Sequence, residues 1–138
     1  MSISEKNSLK VVIEEIVSLC QQMEDEGRTE FLPAATEKEI IEWEEQNKIT
    51  IPESYKDWLR FSNGSIILGT LAYFYSLNEI KVDDKEYPLD YVVIGEAIGD
   101  GVRICFSKST GEIIWYDHGS ERKYENFGKV LDKISFMM

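Results

Sequence analysis

Histidine occurs once in these 138 residues, cysteine twice and proline three times. With His118 as the only imidazole, most triads and metal sites fail on inventory. Cys20 and Cys105 lie far apart, each flanked by apolar residues, and form no CxxC; no HExxH is present either. They are expected as reduced thiols packed like small hydrophobes, with one disulfide the most they could make. Three prolines and nine glycines are too few for a disordered or fibrous chain. Long apolar runs are missing as well. The stretch 66–75 is too short to cross a bilayer, and residues 1–10 are polar with both charge signs, so neither a signal peptide nor a membrane span is expected.

Basic residues are outnumbered, 15 against 26 acids, for a net charge of −11. Nucleic acid and anionic membrane become poor partners, because both are held by Lys and Arg. The remaining composition, 43% hydrophobic with 12% aromatic, suits a globular fold. A mass of 16.0 kDa fits one domain spanning 1–138, with the cytoplasm as the expected compartment.

Periodicity divides the chain. Leu9, Val12, Ile13, Ile16, Val17, Cys20 and Met23 recur at helical spacing and predict a helix over about 4–26, with Gly27 as its C′ residue. Thr36 and Glu39 form a capping box that opens a second helix with Ile40 and Trp43 inward. Pro52 suits the first turn of a third helix, whose inner side carries Tyr55, Trp58 and Leu59 and which ends at Asn63-Gly64. Beyond Gly64 the pattern turns to strands: 66–68, 71–75, 91–94, 102–106 and 113–116. Gly99-Asp100-Gly101 and Ser109-Thr110-Gly111 supply hairpin turns. Ser76 and Glu79 repeat the capping pattern in a single turn, 81–90 reads as an acidic surface loop, and a last helix starts near Asn126. The expected fold is α+β: N-terminal helices, an antiparallel meander of about five or six strands, and a C-terminal helix packed on the sheet.

No catalytic constellation emerges. Asp117 precedes His118, but neighbours along a strand point apart, so a solvated loop histidine is expected. The glycines at 95, 99 and 101 are interleaved with Glu96 and Asp100, which would repel a phosphate. Asp83, Asp84 and Glu86 lack calcium-loop spacing. No metal ligand set and no cofactor site is expected. A hydrolase using a carboxylate pair stays open, since acids are plentiful. Trp115 could lie on either face of its strand; exposed, it would anchor a partner. Five glutamates between positions 37 and 45 face only Lys38 in opposition, and Glu42 and Glu45 fall on the side away from Ile40 and Trp43. Such a face keeps a protein soluble or meets a basic partner.

The order Thr36-Glu37-Lys38-Glu39-Ile40, Trp43-Glu44, Ile51-Pro52-Glu53-Ser54-Tyr55-Lys56-Asp57-Trp58-Leu59 and Asn63-Gly64 resembles the SUKH superfamily, the Knr/Smi-type immunity and cell-wall-regulator domain. Ser76-Leu77-Asn78-Glu79-Ile80, Ile94-Gly95, Gly99-Asp100-Gly101, Gly111-Glu112-Ile113 and the helix from Phe127 to Ile134 continue the likeness. It covers about 31–136 and leaves 1–30 as an additional N-terminal helix. Asn126-Phe127-Gly128 departs from the family's usual Ser-Phe-acid start. The resemblance implies a non-catalytic bacterial protein that binds and neutralises a polymorphic toxin, often a nuclease. The other branch implies an intracellular regulatory scaffold; a small-molecule-binding module is the third reading. Charge and expected exposure nominate Glu42, Glu45, Asp83, Asp84 and Asp100 for contact with a basic toxin domain. Neither the oligomeric state nor the partner's identity is legible.

Overall fold

Leu9, Ile16 and Cys20 are buried along one side of α1, which runs Ser2–Gln22 in the computed structural model; the structure describes residues 2–99 and 101–138. A 3-10 turn, Glu24–Glu26, follows α1. Gly27 is not a left-handed cap: its backbone is extended, and a Cβ there would stand 2.7 Å from the carbonyl carbon of Leu68. Close approach of two chain segments, not helix termination, selects glycine here.

Next come β1 (Glu30–Phe31), α2 (Glu37–Asn47) and α3 (Glu53–Phe61). The capping box of α2 forms in both halves: Glu39 N–H donates to Thr36 Oγ1 at 3.1 Å, and Thr36 N–H to Glu39 Oε1 at 2.9 Å. Pro52 caps α3 from outside rather than occupying its first turn, and the helix stops at Phe61 with Ser62 as cap. Asn63 instead uses its side chain, accepting from Leu77 N–H at 2.9 Å.

Six more strands follow or complete the sheet: β2 (Ser65–Ile67), β3 (Ala72–Phe74), β4 (Tyr91–Ala97), β5 (Val102–Ser107), β6 (Ile113–Asp117) and β7 (Ser120–Tyr124), before α4 (Phe127–Met137) closes the chain. All pairings are antiparallel and sequential, β1 to β7. The fold is the expected α+β, with β1 and β7 added to the strands read from sequence. β7 arises because His118 and Gly119 both take positive φ, as a two-residue I′-type hairpin requires.

Alternation along the strands gives the sheet two different faces. On the inner one, Trp58 of α3 packs against Phe74 at 5.5 Å and Phe127 at 5.7 Å, between ring centroids, and its indole N–H donates to Ser65 Oγ at 3.2 Å. Tyr55 meets Phe127 at 4.9 Å. Helices α3 and α4 therefore share one aromatic core with β3, and α1 packs on α4 and α3 from outside.

Candidate functional site

Three of the five glutamates on and beside α2 are committed to holding the fold. Glu37 receives both ends of the Arg60 guanidinium at 2.8 Å, Glu39 completes the capping box, and Glu44 accepts from Ile51 N–H at 2.8 Å while pairing with Lys56 at 3.1 Å. The Arg60 hydrogen bond holds the Glu37 carboxyl below the usual carboxylate range. Glu42 and Glu45 point to solvent; Glu42 touches Lys38 only at 4.0 Å. An exposed pair at that distance is worth little, so the negative charge of this face remains available.

The remaining nominated residues lie elsewhere. Asp83 is exposed and Asp84 half-buried on the 81–90 segment, where Asp84 accepts from Glu86 N–H at 3.0 Å. Asp100 lies outside the described residues. The segment is more than a surface loop: Lys81 bridges to Val93, and Val82 and Tyr87 pack against the core. Tyr87 stacks edge-on against Tyr116, ring centroids 5.0 Å apart. Tyr116 faces away from the helices, because its neighbour Trp115 is buried on the inner face with Lys133 Nζ 5.0 Å above its ring. Trp115 is thus no exposed anchor, and the 81–90 acids do not join those of α2.

That outer sheet face carries a constellation that sequence reading missed. Tyr73, Glu96, Arg103, Tyr116 and Glu121 are successive cross-strand partners on β3 to β7. They form one transverse row spanning about 19 Å at the usual strand spacing. Three tyrosine hydroxyls on this face donate to carboxylates: Tyr73 to Glu79, Tyr75 to Glu96 at 2.8 Å, and Tyr91 to Glu121. The Glu79 hydrogen bond pushes the Tyr73 hydroxyl up to about 12. Burial works to raise Glu79, but hydrogen bonds from Tyr73 and Ser76 outweigh it and leave the carboxyl below its ordinary value. Five residues from five strands leave no local motif; only the count of seven tyrosines hinted at such a face.

Among the described residues, the carboxyls Glu37, Glu79 and Asp90 are displaced downwards, whereas a general acid needs one moved up. His118 Nδ1 lies 2.7 Å from Asp117 Oδ1, contrary to the strand argument, because the turn conformation of His118 replaces strand alternation. The pair is exposed at a hairpin tip. Cys105 is buried, which pushes its thiol up to about 12, and Cys20 is buried and raised for the same reason. A groove of about 720 Å³ between α1 and α3 has an apolar floor including Leu9, Ile13 and Phe61. Asp57 at its rim is bound to Arg60 at 2.7 Å.

The comparison with protein families decides the lineage: the model of the SMI1 / KNR4 family (SUKH-1) matches residues 34–133. The chain belongs to that family. The SUKH-1 match begins after α1 and β1 and runs through α2, α3, the meander and most of α4. Both surfaces described above, the α2 acids and the outer tyrosine row, fall inside the SUKH-1 region. No curated protein matches the sequence. Among the described residues no helix is long and apolar enough to cross a membrane.

Proposed function

We propose that this SUKH-1 chain is a non-catalytic protein-binding domain, an immunity protein of a bacterial cytoplasm that neutralises a cognate basic toxin by occluding its surface. The observation that carries this reading is the charge left over after folding. Of the glutamates around α2, Glu37, Glu39 and Glu44 serve caps and ion pairs, while Glu42 and Glu45 face solvent and the described residues give them no more than the exposed 4.0 Å contact of Glu42 with Lys38. Together with a net charge of −11, they present a field that attracts a cation-rich partner. A nuclease toxin is such a partner, since it must be basic to hold its own substrate. Asp83 and Asp84 are proposed as additional contacts on a separate part of the surface, and Asp100, outside the described residues, as a further one on its charge alone.

The same proposal takes residues 1–138 as one domain, supported by the packing of α1 on α4 and α3. Reversing Glu42 and Glu45 to lysine tests the assignment against any toxin found encoded beside this gene. Association should slow at least about tenfold at low salt, and its dependence on salt should flatten. Unchanged affinity and an unchanged salt slope would show that α2 does not face the partner.

A further inference from the structure

The outer face of the sheet differs from the α2 surface in kind. Three of its hydroxyl protons are already used: Tyr73, Tyr75 and Tyr91 each donate to a carboxylate of this chain. A hydroxyl has one proton and two lone pairs, and an ionised carboxylate has only lone pairs. At those three tyrosines and their carboxylates the face therefore offers acceptor oxygens and aromatic rings. Its acids are Glu79 and Glu121, both exposed, and the half-buried Glu96. Its cations are Arg103, opposite Glu96 and Tyr116 in the row, Lys81, whose Nζ lies 5.9 Å from the centre of the Tyr75 ring, and the exposed Lys123, two residues beyond Glu121 on the same face of β7.

The two ends of the row repeat one arrangement. Tyr73 with Glu79 marks the β3 end, and Glu121 with Tyr91 reaching across to it marks the β7 end. Each places a carboxylate against a half-buried tyrosine. A planar guanidinium can donate to such a carboxylate while its face lies on the ring. An ammonium donates from a compact, strongly hydrated point and stacks poorly. The position of Arg103, between Glu96 and Tyr116, already accommodates one guanidinium-bearing side chain in the row.

The geometry points to the row Tyr73–Glu96–Arg103–Tyr116–Glu121 as a docking surface that receives arginine side chains presented by a protein partner, one at the Glu79 end and one at the Glu121 end. This rests on the reading of the chain as a protein-binding domain and names the chemistry its partner must show. Tyrosine suits the role because it adds contact area while losing few rotamers on binding.

The test needs no toxin. The folded chain, labelled with nitrogen-15, is titrated with the blocked tripeptide acetyl-Gly-Arg-Gly-amide, and with the same peptide carrying lysine or citrulline. Citrulline keeps the shape of arginine and removes its charge. The expected result is saturable shifts at the amides of Tyr73, Glu96, Tyr116 and Glu121, with arginine several-fold tighter than lysine and citrulline inactive. Glu79→Gln and Glu121→Gln should each weaken the arginine response several-fold while the rest of the spectrum stays in place. Glu121 is exposed on β7, and Glu79→Gln keeps a side-chain oxygen that can accept from Ser76 N–H and so hold the turn after β3. No response, equal response to arginine and lysine, or shifts confined to α2 would overturn the assignment. Because the probe is a peptide, a failed titration with toxin binding intact removes only this site. A successful titration with no toxin found removes only the immunity reading.

Discussion

Tyr55 has no exposure to solvent yet carries a hydroxyl, which donates to the Tyr75 carbonyl at 2.8 Å and lies 3.3 Å from the Ile94 carbonyl. Burial drives its pKa far up, so the neutral donor is the only form the fold accepts. The hydroxyl ties α3 to the strands beneath the outer row. Gly95 does similar work by absence: a Cβ there would stand 2.7 Å from the Tyr73 carbonyl oxygen and 2.9 Å from Phe74 Cδ1. Tyr55→Phe should cost about 1–2 kcal/mol through the Tyr75 carbonyl left without its hydroxyl donor; the Ile94 carbonyl keeps its bond from Tyr75 N–H. Gly95→Ala should cost about 1–3 kcal/mol through overpacking and should also disturb the neighbouring Tyr73. Urea unfolding of both variants checks these values; a loss under about 0.5 kcal/mol in either would refute its mechanism. At this scale the sequence was legible where the cause is local. Thr36 and Glu39 announce their cap, whereas Gly27 is chosen by Leu68, which no local reading finds.

Carboxylates fasten one element to another. Glu37 joins α2 to Arg60 of α3, Glu79 closes the turn after β3, and Asp90 grips the β5–β6 turn through Ser107 and Ser109. The Ser107 hydrogen bond is the main cause that holds Asp90 below its ordinary value. A carboxyl lowered in the folded state stabilises the protein above its unfolded pKa, near 4, and that contribution fades as pH falls through the folded value. The loss of stability caused by Asp90→Ala should therefore be present at pH 7 and shrink below about pH 4. Thermal unfolding of both proteins across that range measures it; a difference that grew on acidification would contradict the assignment. Helices were readable at this scale because Ile40, Trp43, Tyr55 and Trp58 keep a helical period. β7 was not, since Ser120-Glu121-Arg122-Lys123-Tyr124 is a polar edge strand made by the hairpin turn and by pairing with β6. Polar edges of this sort also discourage pairing with other chains.

On the scale of the whole molecule, a net charge of −11 and the ordered set of caps, turns and core positions were visible from sequence, and the SUKH-1 match over 34–133 agrees with the family that the ordered set resembles. The transverse row was not visible, because register across five strands brings Tyr73 and Glu121 into one line. On the proposed reading, charge and row would divide the work of recognition: a long-range field would speed encounter, short-range acceptors and rings would select what stays, and both would call for a basic partner. The most direct test is capture from the native cell lysate with the purified chain as bait, at low and at physiological salt. The account predicts one basic, nuclease-like protein whose retention weakens as salt rises. Retention of a set of housekeeping proteins, indifferent to salt, would contradict it in favour of the regulatory scaffold. No retained partner at either salt would contradict it too.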